Sequence, residues 1–339
     1  MGQGVSYNRC WSWEGGGMKR ALVVGALGQD GFYLSRLLVQ KGYAVFGMVR
    51  RMPPCEEDAN VEYIHGDLTN ELSLSIAFRK AWPDEVYNLG GQVFVPTSWE
   101  YAADTFNVNT GGLARILQIV ERTKPDTKVY QASSSEMFGN FDGACNERTP
   151  LSPRSPYGVS KVAAHNLCAL YRERGLFVVS GILHNHESPR RGFEMVTRKI
   201  ARCVATWASG VPEILQLGNM ESRRDWGFAG DYVRAMYQML QQQIPQDFII
   251  GTGESHSVRD FLNEACNCAG VHSSVREHHT IVDARMRRTQ EIYDLRADAS
   301  KAKNMLGWVP TVDFKGLVKL MVDAEIERRQ KSEKRAVSA

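Results

Sequence analysis

No apolar run in the sequence approaches the roughly 18 consecutive residues that a membrane-spanning helix needs. The first residues also lack the charged-then-apolar layout of a secretory signal peptide. The sequence therefore predicts a cytoplasmic protein with no membrane partner.

Cysteine is sparse, and charge of one sign is not in excess. The 339 residues include seven cysteines, an odd number without CxxC spacing, which argues against a disulfide framework or a zinc site. We expect no bound metal, and we expect Cys266 and Cys268 to be reduced packing residues of a helix. Lys and Arg number 41 against 38 Asp and Glu, for a net charge of +3, so nucleic acid is not an expected partner.

The two ends of the chain differ from the rest. Residues 1–17, MGQGVSYNRCWSWEGGG, show no hydrophobic period, and a second methionine, Met18, precedes the first strand-like run. We interpret residues 1–17 as an N-terminal appendage and residues 331–339, which are charged and small, as a solvated tail. What lies between reads as one continuous unit of enzyme size.

The most informative segment is KRALVVGALGQDGFYLSRLLVQKGYAVFGMVRR, residues 19–51. An apolar run, a glycine-rich turn, an amphipathic stretch and a second apolar run predict a strand, a helix and a strand. Gly25, Gly28 and Gly31 form GxxGxxG, which allows a tight turn and a close approach to the pyrophosphate of a dinucleotide at a helix N-terminus. The alternative is that these glycines only punctuate a turn.

The end of the second predicted strand carries Arg50 and Arg51, where an NAD-binding chain usually has an acid. Paired guanidinium groups favour a 2′-phosphate and therefore NADP, unless they are simply solvated. Asp67, after a third strand, is expected either to accept from the adenine amine or to cap the helix beginning at Thr69 or Asn70.

Further strand patterns, EVYNLGG, KVYQASS and LFVVSGI, alternate with helix-length stretches at 102–123 and 157–174. The fold class is therefore α/β, a Rossmann-type doubly wound parallel sheet with a smaller mixed α/β substrate domain. DFIIGTG, at 247–253, predicts a late strand that returns to the sheet. We accordingly predict a dinucleotide-binding domain of residues 18–182 plus 230–256, and a substrate domain of residues 183–229 plus 257–330.

A candidate catalytic set follows the fourth and fifth strands. In SPYGVSK, Tyr157 and Lys161 lie four residues apart, so both side chains share one face of a helix. An ammonium group near the phenol is expected to lower the tyrosine pKa towards the range of a useful base. A hydroxyl from the serine run 133–135 is expected to hold the substrate oxygen, although a surface Tyr and Lys on an amphipathic helix would have the same spacing.

Taken in order, the glycine-rich turn, the serine run and YxxxK resemble the extended short-chain dehydrogenase/reductases. From about Lys19 to Ala324 the chain is most similar to their GDP-mannose 4,6-dehydratase family, through GALGQDGFYL, ASSSEMFG, RSPYGVSK, NHESPRRGFEMVTRKI, LGNMESRRDWGFAGDY, GTGESHSVRDF and SKAKNMLGW. The resemblance implies NADP as cofactor, a GDP-hexose substrate and a triad of Ser134, Tyr157 and Lys161. It also implies that Glu136 is the base of a dehydration.

Motifs and resemblance together predict two binding sets. Predicted cofactor contacts are Gly25, Gly28, Gln29, Asp30, Gly31, Arg50, Arg51, Asp67, Leu68, Leu89, Tyr157 and Lys161. Predicted substrate contacts are Ser135, Asn185, Arg190, Val196, Lys199, Arg224, Arg288 and Glu291. The alternative for each cation in the second set is an ordinary solvated charge.

The chain departs from the family pattern in the segment RRTQEIYDL, where Thr289 replaces a proline and Tyr293 an aspartate. The loop after Arg51 is short where relatives carry an arginine-rich segment, so we expect either a homodimer or a homotetramer. The helices at 102–123 and 157–174 resemble those of the family's dimer interface. A reductase, epimerase or decarboxylase of nucleotide sugars, or a non-catalytic NADP-binding protein, remain the alternatives.

Overall fold

The computed structural model describes residues 17–53, 58–286 and 290–337, with side chains to residue 334. Predictions that fall on Arg288, Thr289 and most of the N-terminal appendage lie outside these residues. In the part of the chain that is described, no helix combines the length and the apolar character needed to cross a membrane.

Strands alternate with helices along most of the described chain. The strands are β1 (Arg20–Val24), β2 (Ala44–Val49), β3 (Val61–His65), β4 (Glu85–Asn88), β5 (Lys128–Ser134), β6 (Ala144–Cys145), β7 (Val178–Leu183), β8 (His186–Glu187), β9 (Leu215–Leu217), β10 (Arg223–Arg224), β11 (Gly227–Phe228), β12 (Phe248–Ile250), β13 (His256–Ser257), β14 (Thr280–Val282) and β15 (Asp294–Ala297). The α-helices are α1 (Gln29–Gln40), α2 (Glu71–Ala81), α3 (Ala102–Phe106), α4 (Gly112–Thr123), α5 (Pro156–Glu173), α6 (Val196–Ala208), α7 (Ala229–Leu240), α8 (Val258–Ala269), α9 (Ser273–His279), α10 (Ser300–Leu306) and α11 (Phe314–Val337).

The central sheet is parallel and doubly wound, as the alternation of strand and helix patterns predicted. Its strand order is β12-β7-β5-β4-β1-β2-β3, so the chain reverses direction across the sheet between β1 and β4. The segment 247–253 does return to this sheet, because β12 pairs with β7 in parallel. Ligands of such sheets bind beyond the carboxyl ends of the strands next to the reversal.

Helices pack on both faces of this sheet, and its strands therefore carry apolar side chains on both sides. One buried cluster joins α1 and α7 to the sheet, and another joins α2, α4 and α5. The predicted helix at 102–123 is a continuous run of α3, a π turn over Asn107–Gly111, and α4. The helix predicted at 157–174 is α5.

The smaller part of the molecule packs around α6, α8 and α11. These helices share a third buried cluster with β9, and short strands β13, β10, β15 and β6 form a sheet beside it. Helix α11 continues through the start of the predicted tail as far as Val337, with exposed side chains at residues 331–334. Cys266 and Cys268 are free thiols on α8.

Candidate active site

The turn between β1 and α1 requires glycine at two of its three glycine positions. Gly25 has a φ of +82°, which side chains other than glycine rarely adopt. A Cβ on Gly31 would lie 2.4 Å from the Gly25 carbonyl oxygen, so helix and strand approach too closely for any side chain. The first amides of α1 therefore stand at the carboxyl edge of the sheet without a side chain in front of the turn. This cradle fits the pyrophosphate of a dinucleotide.

Gln29 and Asp30, which lie between Gly28 and Gly31, contact protein atoms on the opposite side of the cleft. Gln29 Nε2 donates to the His186 carbonyl oxygen at 3.0 Å, and Ser188 Oγ donates to Gln29 Oε1 at 2.8 Å. The Asp30 carboxylate lies 2.9 Å from His186 Nε2. The sequence motif predicted Gln29 and Asp30 as cofactor contacts, and their side chains in fact join the cradle to the segment after β7.

The remaining predicted cofactor residues lie around the cradle. Arg50 and Arg51 are exposed and directly follow β2. Asp67 Oδ1 accepts from the Thr69 amide and hydroxyl at 2.8 and 2.7 Å, and these bonds, with Arg50 nearby, lower the pKa of Asp67. Asn70, rather than Asp67, caps the helix α2.

Leu68 and Leu89 close the floor beside the turn. A Cβ on Gly90 would lie 2.9 Å from Leu68 Cδ1, and one on Gly25 would lie 3.1 Å from the Gly90 backbone. The strand ends of β1 and β4 are thus packed against each other at this point, where a larger residue would not fit.

A cleft of about 360 Å³ opens beyond the carboxyl ends of β5 and β7. It brings together residues that are distant in sequence but were predicted as catalytic or binding groups. Those that line it are Asp30, Leu89, Ser134, Ser135, Glu136, Tyr157, Lys161, Asn185, Val196, Lys199, Arg224 and Glu291. The cleft therefore combines the predicted triad, the predicted base and most of the predicted substrate contacts.

The serine run places a hydroxyl and a carboxylate within two residues of each other. Strand β5 ends at Ser134, whose Oγ accepts from the Glu136 amide at 3.2 Å and caps the 3₁₀ turn Ser135–Met137. The Ser134 hydroxyl also lies close enough to the Tyr157 phenol to act on its pKa. A Cβ on Gly158 would lie 2.9 Å from the Glu136 carbonyl oxygen, so this glycine lets the start of α5 pack directly against the turn.

The pKa of Tyr157 differs in direction from the sequence-based expectation. Burial raises it to about 12; the hydrogen bond with Ser134 acts against this shift, and the Glu136 carboxylate adds to it. The Lys161 ammonium does not compensate, since Nζ donates to the Ala132 carbonyl oxygen at 2.9 Å and lies 5.7 Å from the Tyr157 ring centroid. The expectation of a lowered pKa is wrong for this structure because desolvation of the phenolate outweighs the nearby positive charge.

Lys161 is itself buried, and burial lowers its pKa to about 8. An ammonium group deep in the protein loses hydration that one carbonyl oxygen replaces only in part. The amine thus titrates within reach of neutral pH, as a group in proton transfer requires.

Lys199 and Arg224 form the far wall of the cleft. Lys199 Nζ donates to the Gln216 carbonyl oxygen at 2.5 Å, and Arg224 donates to the Ile292 carbonyl oxygen at 2.9 Å. Glu291 Oε1 accepts from the Ser222 hydroxyl at 3.0 Å. Two cations and one acid are suited to a nucleoside diphosphate, because its phosphates bind cations and its ribose hydroxyls bind a carboxylate.

Arg190 and Arg191 lie on different sides of the chain. The Arg190 guanidinium is 3.9 Å from the Phe32 ring centroid, on helix α1, and does not line the cleft. Arg191 does line it, and its Nε lies 3.0 Å from the buried Glu187 carboxylate.

Sequence reasoning missed His186 and Arg191 as residues of the cleft. Both belong to the string NHESPRRG, from which only Asn185 and Arg190 were selected. Alternation along a strand could not have found them, because the consecutive residues 183–187 all line the cleft. No group of three His, Cys, Asp or Glu side chains suited to a metal occurs within the described ranges.

Comparisons with known proteins show the family to which the chain belongs. A family model described as GDP-mannose 4,6 dehydratase matches residues 22–321. The chain is 44% identical over 328 residues to GDP-mannose 4,6 dehydratase 1 of Arabidopsis thaliana, covering 91% of this chain and 90% of that protein. It is 40% identical over 339 residues to the GDP-mannose 4,6 dehydratase of Homo sapiens, covering 91% of each.

A solved structure has the same fold. The UDP-glucose 4-epimerase of Thermus thermophilus, in complex with NAD, superposes with a TM-score of 0.80 at 25% identity, covering 90% of this chain and 98% of that one.

Proposed function

Because the chain belongs to the GDP-mannose 4,6-dehydratase family, we propose that it converts GDP-mannose to the 4-keto-6-deoxy sugar with loss of one water. The observation that carries this proposal is the placement of Glu136 in one cleft with Ser134, Tyr157 and Lys161. The three latter residues suit oxidation and reduction at a carbinol carbon, while an additional carboxylate suits elimination.

The cofactor of the reaction is a nicotinamide dinucleotide, which the glycine cradle fits and which the NAD-bound epimerase of the same fold supports. When bound, it supplies the acceptor for a hydride from the sugar C4 and the donor of that hydride to C6. We assign it as NADP because Arg50 and Arg51 stand where an acid would select NAD.

Tyr157 acts as the base for the C4 hydroxyl. Ser134 lines the cleft beside Tyr157, and its hydroxyl is the group proposed to hold the sugar O4 in line with the phenol. Lys161 Nζ donates to the Ala132 carbonyl oxygen and so fixes the face of α5 that carries Tyr157 against the end of β5.

Glu136 acts at C5 and C6 of the sugar. Once C4 is a ketone, the hydrogen on C5 becomes acidic, and the Glu136 carboxylate removes it as a proton. The same group then gives that proton to the departing 6-hydroxyl, so that one water leaves and the carboxylate is restored. When hydride returns to C6, C5 takes up a proton in turn, and the proton that Tyr157 removed from O4 is available for it. Burial behind Ser135 and next to Tyr157 keeps bulk water away from this exchange.

The direct test is incubation of the protein with GDP-mannose and no added reductant. We expect the alkali-induced absorbance of a 4-keto sugar, and deuterium placed on C4 should reappear at C6. Net consumption of NADPH would instead indicate a reductase, and release of carbon dioxide a decarboxylase. Absence of all three signals would contradict an enzymatic role in nucleotide-sugar conversion.

Glu136→Gln separates dehydration from other reactions on this scaffold. We expect turnover to fall by about 10²- to 10⁴-fold, with GDP-mannose binding retained, because the variant lacks the base for C5. Glu173→Gln, at the exposed end of α5, is the matched control and should keep wild-type turnover. Full turnover by Glu136→Gln would contradict the assignment of the base.

The assembly of the protein is proposed from the same family. Helices α3, α4 and α5 present a face that resembles the family's dimer interface, with exposed Trp99, Tyr101 and Val159 at or near it. We propose at least a homodimer, to be tested by light scattering. The cytoplasmic location and the two-domain boundaries stay predictions from the sequence.

A further inference from the structure

Residues His186–Arg191, which we call the strap, run from β8 past the N-terminal end of α1 to the cleft. Three contacts join this strap to the helix that forms the cofactor cradle. They are the bond from Gln29 Nε2 to the His186 carbonyl oxygen, the bond from Ser188 Oγ to Gln29 Oε1, and the Asp30–His186 pair. The strap thereby connects two parts of the chain that are more than 150 residues apart in sequence.

The bonding of the His186 ring requires a definite protonation state. Nε2 lies 2.9 Å from the Asp30 carboxylate, and Nδ1 lies 2.9 Å from the His184 carbonyl oxygen. A carbonyl oxygen cannot donate, and an ionised carboxylate cannot donate either. Both bonds form together only if both ring nitrogens carry protons, that is, if His186 is an imidazolium.

The surroundings of the ring support this charge. Burial lowers the pKa of His186, but the Asp30 carboxylate outweighs burial, so that the pKa of His186 is raised overall. His186 in turn lowers the pKa of Asp30. The Tyr232 ring on α7 stacks on the imidazole, with centroids 4.6 Å apart, an arrangement that favours a cation. Arg191, on the strap itself, acts against the imidazolium. On the other side of the pair, the charge of Asp30 also acts on the Lys161 amine and on the phenols of Tyr130 and Tyr157.

The rest of the strap is held as well. The Arg190 guanidinium covers Phe32 of α1 at 3.9 Å, and the Pro189 carbonyl oxygen accepts from Arg328 of α11. The buried Glu187 carboxylate lies 3.0 Å from Arg191 Nε and accepts from the Thr197 hydroxyl at 2.7 Å. Arg191, at the end of the strap, lines the cleft.

We propose that Asp30 and His186 are positioning residues that fasten the strap over the cradle and so retain the dinucleotide between the two hydride transfers of one turnover. In this assignment their side chains act through each other, and retention of the cofactor depends on the bond between them. The proposal rests on the proposed function, since only a reaction that returns its own hydride needs the reduced cofactor to stay bound throughout.

The pair also makes retention dependent on pH. His186 is charged below its raised pKa and neutral above it, while Asp30 is ionised over the whole range near neutrality. As the pH rises through the pKa of His186, one of its two hydrogen bonds and the ionic attraction are lost. Release of the dinucleotide should therefore become faster towards alkaline pH.

The test measures cofactor release rather than turnover. The protein is loaded with NADPH and mixed with excess NADP⁺, and loss of nicotinamide fluorescence gives the dissociation rate constant. We expect Asp30→Ala and His186→Ala each to raise this rate constant by about tenfold or more, because each removes a charge-assisted hydrogen bond. Glu62→Ala, an exposed carboxylate paired with Lys80 in the same part of the chain, should leave it unchanged.

A double-mutant cycle distinguishes loss of the bond between Asp30 and His186 from a general disturbance of the folded structure. The Asp30→Ala, His186→Ala double variant should release NADPH no faster than either single variant, since both remove the same bond. His186→Gln keeps one donor without the charge, so its release rate should lie between wild type and His186→Ala and should not vary with pH. Melting temperatures measured on the same variants separate loss of the fold from loss of the bond between Asp30 and His186.

Three outcomes would overturn the proposal. One is release at the wild-type rate in both alanine variants, and another is additive effects in the double variant. The third is slower release in Asp30→Ala, which would mean that Asp30 acts mainly by repelling the pyrophosphate. Failure of the proposed function would look different, because wild-type protein would then bind and release NADPH as described and yet form no 4-keto sugar.

Discussion

The cofactor side and the substrate side of the cleft are built in different ways. The cofactor side is built mainly from one turn, Gly25–Gly31, between a strand and the helix that follows it, where Gly31 packs against Gly25 and Ala26. The substrate side takes its walls from separate elements: the end of β5, the strap, the start of α6, the segment after β9, and β10. A local motif determines the first side, whereas the second exists only when the whole chain is folded.

The groups that we propose as catalytic lie on the boundary between these two sides. Ser134 and Glu136 follow β5 of the central sheet, and Tyr157 and Lys161 lie on α5. The packing of Gly158 against Glu136 brings the two pairs together. A change here should affect chemistry, a change in the turn should affect the cofactor, and a change in the far wall should affect the substrate alone.

The largest effect is expected at the boundary, from Tyr157→Phe. Loss of the phenol removes the base for O4, so kcat should fall by about 10²- to 10⁴-fold with little change in the binding of GDP-mannose or cofactor. Tyr171→Phe makes the same substitution on the same helix, α5, and should have wild-type kcat. Steady-state kinetics with calorimetric binding would check this, and equal losses in both variants would contradict the assignment.

The next largest effect is expected on the cofactor side, from Gly31→Ala. The new Cβ would meet the Gly25 carbonyl oxygen at 2.4 Å and the Ala26 Cα at 2.6 Å, both backbone atoms that cannot turn away. We expect loss of dinucleotide binding and a decrease in unfolding free energy of about 1–3 kcal/mol or more. Normal affinity of Gly31→Ala for NADP would contradict the assignment of this turn as the dinucleotide-binding site.

Gly42→Ala is the matched control for the turn. Gly42 has a φ of +80°, but a Cβ there meets nothing within 4 Å. It should lose only about 1–2 kcal/mol for the left-handed backbone and should bind the dinucleotide normally. Thermal unfolding and fluorescence titration of both variants would separate backbone strain from steric loss of the cradle.

A smaller effect is expected from the titration of Lys161. Its pKa is about 8 in the folded protein and 10.5 for the free side chain, so between these values the unfolded chain binds a proton that the folded protein lacks. The unfolding free energy of wild type relative to Lys161→Met should therefore rise with pH from about 8 to 10.5, by up to about 1.4 kcal/mol per unit. Denaturant unfolding at several pH values would measure it, and a difference independent of pH would show that Lys161 keeps an ordinary pKa.

The smallest effect is expected on the substrate side, from Lys199→Met. Loss of one cation at the cleft should raise KM for GDP-mannose by about three- to tenfold and leave kcat and cofactor affinity unchanged, because one phosphate contact is lost. Arg202→Met is the control on the same helix, α6, since Arg202 is exposed and pairs with Glu213. An unchanged KM in Lys199→Met would mean that the far wall does not bind the nucleotide.

Prediction from the sequence succeeded where spacing along the chain implies distance in space. The strand positions, the glycine turn and the shared helix face of Tyr157 and Lys161 all follow from local periodicity. It failed on the pKa of Tyr157, because the cost of burial depends on everything that surrounds the phenol. It also selected Arg190 rather than Arg191, since the bend of the strap decides which of two adjacent side chains enters the cleft.

The amino-acid sequence alone determined the parallel sheet, the cradle and the identity of the groups after β5, because each depends on residues within one turn or one strand–helix unit. Only the tertiary structure decided that Gln29 and Asp30 bind the strap, that His186 faces two acceptors, and that Lys161 is buried deeply enough to titrate near pH 8. The reason is physical: these contacts and this desolvation come from separate elements of the chain, up to 157 residues apart in sequence, and no local pattern records which atoms will meet.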